Sequence, residues 1–232
     1  MKLNQQPIEK KTNSLLLLEV ISAWTTIQGE GPFAGIPAVF VRLAGCNLQC
    51  PLCDTDYTTG RELMSAQALL DHVMGIEDVP RLMVITGGEP FRQNLVPFVN
   101  LALAEGFHVQ IETNGSLHSP TICNYARSPI HAVTIVCSPK SAKLAKDFYA
   151  NDFKYVLEAD NICPEDGLPL SVLGNEVKVA RPPSGFQGDV YVQPIDVQDE
   201  KLNADHMKAT VESVLKHGHR LCLQLHKIVG LE

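Results

Sequence analysis

Cys46-Asn47-Leu48-Gln49-Cys50-Pro51-Leu52-Cys53 places three cysteines within eight residues. The spacing C-x3-C-x2-C lets three thiolates converge on one face of a [4Fe–4S] cubane, and no fourth cysteine lies nearby. Structural zinc sites generally use four protein ligands, and electron-transfer cubanes usually have four thiolates. The stretch therefore predicts a cluster with one open iron, with zinc or unligated core thiols as the alternatives.

The composition favours one α/β domain that acts on a small molecule. The chain has 232 residues, 45% of them apolar, and a net charge of −7, which gives no global positive field for nucleic acid. The apolar run at residues 15–18 is too short to cross a bilayer, and no signal peptide is visible. The seven cysteines are too few for a disulfide scaffold. We therefore expect reduced thiols and a cytoplasmic protein.

Short β-rich runs alternate with amphipathic helices on both sides of the cysteines. Strands are predicted at residues 18–27, 37–44, 81–86, 107–112, 131–137, 153–158, 189–193 and 219–225. Helices are predicted at residues 65–75, 92–105 and about 204–217. This order predicts a parallel sheet, open or curled into a barrel, with ligands at the carboxyl ends of its strands. Residues 1–17 are expected to be a loosely ordered extension to a domain of residues 18–232.

Five further motifs accompany the cysteines in a fixed order. They are Thr26-Ile27-Gln28-Gly29-Glu30-Gly31, Cys53-Asp54-Thr55, Thr86-Gly87-Gly88-Glu89-Pro90, Ser138-Pro139-Lys140 and Gln224-Leu225-His226-Lys227. Together they resemble the 7-carboxy-7-deazaguanine synthase family of the radical S-adenosylmethionine (SAM) superfamily, over roughly residues 18–232. The resemblance implies a partial TIM-like β/α barrel that contracts 6-carboxy-5,6,7,8-tetrahydropterin to 7-carboxy-7-deazaguanine with loss of ammonia. It also implies Mg²⁺ and a [4Fe–4S] cluster whose open iron binds SAM, the source of a 5′-deoxyadenosyl radical.

The resemblance assigns SAM binding to loops that follow strands. The Gly87-Gly88 pair lets backbone approach a ligand closely, although a plain turn would also use glycine. A hydroxyl and an ammonium on either side of a stiff proline suit the ribose and carboxylate of SAM. The implied SAM positions are Leu52, Asp54, Gly88, Glu89, Ser138, Pro139, Lys140, Gln193, Pro194, Ile195 and Asp196. Leu52 departs from the family, because many members carry an aromatic residue there that can stack on adenine.

Several polar residues are candidates for binding the substrate. Gln28 offers the paired donor and acceptor of a pterin edge, and Glu30 can accept from ring N–H groups, although either could be a surface residue. Arg42 lies in an otherwise apolar run, where it is predicted to hold the substrate carboxylate or, alternatively, a structural salt bridge. The family further implies substrate contacts by Ile27, Gly29, Thr86, His226 and Glu232, and a Mg²⁺ ligand in Thr55. For His226 the alternative is a structural role, because a lone histidine after an apolar strand is more often structural.

Two other functions share part of this pattern. One is an activase that installs a glycyl radical on a partner protein, although such enzymes often carry extra cluster-binding cysteines. The four remaining cysteines here are scattered. The other is a non-catalytic zinc or iron–sulfur interaction module. The resemblance also implies a flavodoxin or ferredoxin as electron donor and a homodimer, whereas no nucleic acid or membrane partner is expected.

Overall fold

One mixed sheet organises the chain in the computed structural model, which describes residues 3–231. Its strands are β1 (Leu17–Ile27), β2 (Pro37–Leu43), β3 (Glu62–Ser65), β4 (Leu82–Gly87), β5 (His108–Thr113), β6 (Val133–Cys137), β7 (Asp152–Leu157), β8 (Val190–Pro194) and β9 (Arg220–Leu221). The helices are α1 (Ala66–Met74), α2 (Val96–Ala104), α3 (Pro120–Arg127), α4 (Glu200–His217) and α5 (Leu225–Ile228). Strands and helices alternate from β3 onward for most of the chain, as the sequence predicts.

The strand order is β3-β1-β2-β4-β5-β6-β7-β8-β9. β1 is antiparallel to β2 and β3, whereas every pair from β2–β4 through β8–β9 is parallel. β3 and β9 lie at opposite ends of this order, so the described sheet does not close on itself. The predicted partial TIM-like barrel is confirmed. The carboxyl ends of the parallel strands β2 and β4 to β8 all face the same end of the sheet.

The predicted elements differ from the structure mainly at their ends. The strand predicted at 219–225 is wrong beyond Leu221, because the chain turns there into α5, where Leu225 N–H donates to the Gly29 carbonyl at 3.2 Å. The helix predicted at 92–105 begins only at Val96, after a 3-10 turn, so Pro97 falls in the first turn, where no N–H is needed. The edge strand β3 and helix α3 were not predicted, because they have only four and eight residues.

Helices α1, α2 and α3 bury mainly apolar side chains, whereas the buried residues of α4 are Thr210 and Ser213. α1 follows Ser65, whose hydroxyl caps the helix by accepting from Ala68 N–H at 3.1 Å, and it buries Leu69 and Val73. The longest helix, α4, starts four residues earlier than predicted, because the Asp199 side chain caps it by accepting from Leu202 N–H. No helix among residues 3–231 is both long enough and apolar enough to cross a membrane.

The segment before β1 has more contacts than its sequence suggests. Residues 3–14 form no helix and, apart from one isolated bridge between Ile8 and Cys46, no strand pairing. Glu9 N–H nevertheless donates to the Cys46 carbonyl at 2.7 Å, and Asn4 N–H donates to the Pro51 carbonyl at 2.8 Å. We expected a loosely ordered extension, but these residues form hydrogen bonds with the cysteine stretch.

A close backbone contact joins the ends of β2 and β4. Gly87 has a φ of +127°, and a Cβ added to it would lie 2.1 Å from the Leu43 carbonyl oxygen. A Cβ on Gly88 would lie 2.0 Å from the Gly45 carbonyl oxygen. Only glycine permits this approach, which fixes the start of the cysteine stretch against the loop after β4.

Gly87→Ala is therefore expected to lower the free energy of unfolding by about 3 kcal/mol, through backbone strain and overpacking together. Urea unfolding of the purified protein measures it. Gly60→Ala is the matched control, because Gly60 also has a positive φ, +74°, but an added Cβ there meets nothing within 4 Å. The control should cost only about 1 kcal/mol, and equal losses in the two variants would contradict the contact.

Candidate functional site

A cavity of about 590 Å³ opens at the carboxyl ends of the parallel strands. Most of the predicted site residues line it. They are Ile27, Gln28, Glu30, Arg42, Cys46, Cys50, Leu52, Cys53, Asp54, Thr55, Thr86, Gly88, Ser138, Lys140, Gln193, Ile195, Asp196 and His226. The structure therefore brings together, in one cavity, residues that are up to two hundred positions apart in the chain.

The other predicted residues lie elsewhere. Gly29 packs against His226, since an added Cβ would lie 2.0 Å from Nδ1 of that ring. Pro139 and Pro194 are chain neighbours of lining residues but are not part of the lining. Glu232 lies outside the described residues. His226 lines the cavity from the short helix α5, so its predicted position at the end of a strand is wrong.

Glu89 is not part of the cavity lining. It is fully buried, and its carboxylate accepts hydrogen bonds from Phe91 N–H at 3.0 Å, Thr113 Oγ1 at 2.7 Å and Asn114 N–H at 2.8 Å. Burial raises the pKa of Glu89 to about 7, although these hydrogen bonds act in the opposite direction. The side chain thus ties the loop after β4 to the loop after β5.

The three cysteines of the predicted cluster site line the same cavity. All three are free thiols, and Cys46 and Cys50 are buried at the cavity wall. Burial raises the pKa of Cys46 to about 12 and raises that of Cys53, although the nearby Lys140 acts to lower the pKa of Cys53. No group of three His, Cys, Asp or Glu side chains within residues 3–231 surrounds a point where a single metal ion could sit. A cubane does not require its ligands to converge on one point, because each thiolate binds a different iron.

The loop after β6 presents a cation to the same cavity. Lys140 Nζ donates to Ser138 Oγ at 2.6 Å and to the Ser138 carbonyl at 2.9 Å. Burial lowers the pKa of Lys140, while the nearby Cys50 thiol acts to raise it. The arrangement leaves a hydroxyl and an amine at one side of the cavity, as the Ser-Pro-Lys motif predicts.

Arg42 has no ion-pair partner among the described residues. Its guanidinium lies over the Trp24 ring, with Cζ 4.8 Å from the ring centroid, and Nε is buried without a hydrogen bond. A buried donor without an acceptor costs about 1–3 kcal/mol, more when it is charged. The guanidinium lines the cavity, which favours an anionic ligand over the structural salt bridge considered above.

Lys154 is a cavity residue that the sequence analysis missed. It forms an ion pair with Glu30, and the two side chains are 11% and 12% exposed. Gln224 Nε2 also donates to Glu30 Oε1 at 2.9 Å. Burial acts to raise the pKa of Glu30, but Lys154 and Gln224 outweigh it, so that pKa lies below its ordinary value. The signal that could have found Lys154 is the one that found Arg42, a lone cation inside an apolar strand.

Glu112, near the end of β5, also lines the cavity, and no role was predicted for it. Its Oε1 accepts from Gln28 Nε2 at 3.1 Å and from Gln110 Nε2 at 3.1 Å, and its Oε2 accepts from Thr86 Oγ1 at 3.2 Å. Glu112 therefore fixes the amide of Gln28 and the hydroxyl of Thr86, two predicted substrate contacts. Its position directly before the Thr113-Asn114-Gly115 turn was the available signal.

Lys154→Met is expected to lower the free energy of unfolding by about 3–5 kcal/mol, because it leaves Glu30 buried without its cation. Adding Glu30→Gln should recover at least about 1 kcal/mol, since the unpaired charge is then gone. Urea unfolding of the two variants measures both effects. The control is Arg220→Met in the half-exposed pair Arg220–Asp189, which should cost under about 1 kcal/mol. An equally small cost for Lys154→Met would contradict the buried pair.

Comparisons with known proteins agree with this geometry. A model of the radical SAM superfamily matches residues 41–170. The chain is 41% identical to a 7-carboxy-7-deazaguanine synthase of Rhodospirillum rubrum, over 89% of each chain, and 36% identical to one of Rickettsia prowazekii, over 93% of this chain and 89% of the relative. The crystal structure of QueE from Escherichia coli shares the fold, with a TM-score of 0.65 at 22% identity over 90% and 94% of the two chains. The chain belongs to the 7-carboxy-7-deazaguanine synthase family of the radical SAM superfamily.

Proposed function

We propose that this protein converts 6-carboxy-5,6,7,8-tetrahydropterin to 7-carboxy-7-deazaguanine and ammonia. The observation that carries the proposal is the shared cavity, which is lined by Cys46, Cys50 and Cys53 and also by Arg42, whose buried Nε lacks an acceptor. A carboxylated substrate would supply that acceptor. The loss of ammonia accounts for all atoms of substrate and product, so no net oxidant or reductant is consumed.

The superfamily uses a [4Fe–4S] cluster and SAM, and the cavity has groups for both. Bound there, they would supply the 5′-deoxyadenosyl radical that removes a hydrogen atom from the substrate. The three cysteines would hold the cluster, and the backbone at Gly88 faces the cavity beside them. The remaining SAM contacts are proposed for Ser138, Lys140 and the loop that begins at Gln193. Leu52 offers apolar contact to adenine without stacking.

The substrate-binding wall is proposed to be the side of the cavity formed by β1, β2, β5 and β7. Gln28 is oriented by Glu112 and can pair with the pterin edge. Glu30 is held ionised by Lys154, so it can accept from ring or amine N–H groups. These groups are fixed in place before any ligand binds, which lowers the cost of ordering them around one.

Mg²⁺ is proposed to bind at Thr55. Thr55 Oγ1 lies 3.3 Å from Asp54 Oδ1, and both residues line the cavity next to Cys53. Mg²⁺ often retains several waters and uses substrate oxygens as ligands, so a site with few protein ligands is sufficient. The substrate carboxylate or carbonyl would complete the coordination.

The proposal extends to the surroundings of the enzyme. A flavodoxin or ferredoxin is proposed as the electron donor and a homodimer as the assembly, both from the family resemblance. We also propose a cytoplasmic location, because all seven cysteines are free and a reducing compartment keeps them so. The glycyl-radical activase is disfavoured by the compact set of buried polar groups, which suits a small molecule more than a protein segment.

The reaction is tested with the anaerobically reconstituted and reduced protein, supplied with SAM, Mg²⁺ and the carboxytetrahydropterin. We expect a product lighter than the substrate by one ammonia in mass spectrometry, and none from Cys50→Ala, which removes one cluster ligand. Cys163→Ala is the matched control, because that half-exposed cysteine lies outside the cavity lining. Intact protein that cleaves SAM but releases no such product would point to another radical SAM substrate.

The role of Arg42 is tested by removing each partner of the proposed ion pair. Arg42→Met should weaken substrate binding about 10- to 100-fold, the usual worth of a hydrogen bond to a charged group. The variant should bind tetrahydropterin lacking the carboxylate as well as the wild-type protein does, in anaerobic equilibrium titrations. Arg81→Met, which changes an exposed arginine outside the cavity lining, should leave both affinities unchanged. If removing the arginine and removing the carboxylate each lower the affinity independently, so that the two losses add, a direct contact between them is contradicted.

A further inference from the structure

Residues 3–12, which we call the strap, run along the cysteine loop, defined as residues 46–58. The strap has an alternating pattern, in which Asn4 and Gln6 are half-buried while Leu3, Gln5 and Pro7 are exposed. A second cavity, which includes strap residues and Cys53 to Asp56, lies between the two segments. The cysteine loop therefore has the site cavity on one side and the strap on the other.

The strap binds the main chain of the cluster-binding residues themselves. Glu9 N–H donates to the Cys46 carbonyl at 2.7 Å, next to the bridge between Ile8 and Cys46. Asn4 Nδ2 donates to the Cys50 carbonyl at 3.1 Å, and Asn4 N–H donates to the Pro51 carbonyl at 2.8 Å. Two of the three predicted cluster ligands are thus held through their own carbonyl groups.

Gln6 makes the contacts that bear on the second half of the loop. Its Nε2 donates to the Thr55 carbonyl at 2.8 Å, and its Oε1 accepts from Tyr57 N–H at 2.7 Å. Its own carbonyl accepts from Gln49 Nε2 at 2.6 Å. One side chain therefore fixes the backbone on both sides of Asp56 and, with it, the position of Thr55.

The far end of the strap is anchored to the loop after β4. Arg92 Nη1 donates to the Lys10 carbonyl at 3.1 Å, and Thr12 N–H donates to the Arg92 carbonyl at 2.8 Å. Arg92 Nη2 also donates to the Ala44 carbonyl at 3.0 Å, at the entrance to the cysteine loop. Glu9 adds an ion pair with Arg61 at 2.5 Å. The strap thus connects the cysteine loop to Arg61 and Arg92, which lie outside that loop.

We propose that the strap is a positioning element for the cysteine loop and that Gln6 is its principal positioning residue. The loop contains no helix and no strand longer than one bridge, so without outside support it would open locally at low cost. Hydrogen bonds from a second layer of residues keep metal ligands in their binding geometry. The strap supplies this layer for the cluster and, on the basis of the function proposed above, for the Mg²⁺ site at Thr55.

The test compares Gln6→Leu with Gln5→Leu, a matched control at the exposed neighbouring position. Both variants are reconstituted anaerobically, and iron release to a ferrous chelator is followed. Gln6→Leu should release iron about tenfold faster than the wild-type protein, because two backbone hydrogen bonds of the loop are lost, whereas Gln5→Leu should match the wild type. The Mg²⁺ concentration for half-maximal turnover should rise only in Gln6→Leu.

Hydrogen–deuterium exchange separates positioning from general support of the fold. In Gln6→Leu we expect faster exchange confined to residues 46–58, with the strands unchanged. Exchange that rises equally across the whole chain, or iron release equal to that of Gln5→Leu, would overturn the proposal. Iron release and exchange require no substrate. If the wild-type protein makes no product but Gln6→Leu still releases iron faster than the wild type, the proposed function is refuted and the positioning role of the strap is not.

Discussion

The contact between Gly87-Gly88 and Leu43–Gly45 is the constraint on which the site depends. It brings two backbones so close that a methyl group on either glycine would overlap a carbonyl oxygen. Gly88 N–H donates to the Leu43 carbonyl at 3.2 Å and Glu89 N–H donates to the Gly45 carbonyl at 3.0 Å, so the approach is also hydrogen-bonded. Because Cys46 follows Gly45 directly, this contact sets where the cluster-binding loop leaves the sheet. It also places that loop beside the backbone that is proposed to contact SAM.

Buried charged residues hold the polar side chains of the proposed substrate-binding wall in place. Lys154 lies close enough to Glu30 and Glu112 to interact with both, and burial acts to raise the pKa of Glu30. Lys154 offsets that penalty for Glu30, and the amide of Gln28 and the hydroxyl of Thr86 are oriented by Glu112. Arg42 differs from these residues, because its Nε has no acceptor within residues 3–231. The wall is therefore largely complete before a ligand binds, with one cation left for an anionic group.

The sequence predicted the fold class, most strands and most cavity residues, because those features follow from local patterns. Gly88, Ser138 and Gln193 each follow an apolar run, and parallel strands bring such positions together. The buried hydrogen bonds of Glu89 were not predicted, because a motif identifies a position without showing which way its side chain points. Lys154 and Glu112 were missed because their importance arises from partners that are distant in the chain, Glu30 and Gln28. The strap was missed for the same reason, since Asn4 and Gln6 have an evident role only once residues 46–58 lie beside them.

One cavity is proposed to hold both the source of the radical and the substrate. Hydrogen transfer between them distinguishes this arrangement from two separate sites. The reconstituted, reduced protein is given SAM and carboxytetrahydropterin deuterated at the saturated ring carbons, and the recovered SAM and 5′-deoxyadenosine are analysed by mass spectrometry. Because substrate and product differ only by ammonia, the hydrogen atom that the radical removes must be returned, so we expect deuterium to exchange into the 5′ carbon of the adenosyl group as the deazaguanine product forms. Formation of that product with no deuterium in either SAM or 5′-deoxyadenosine would contradict a shared cavity.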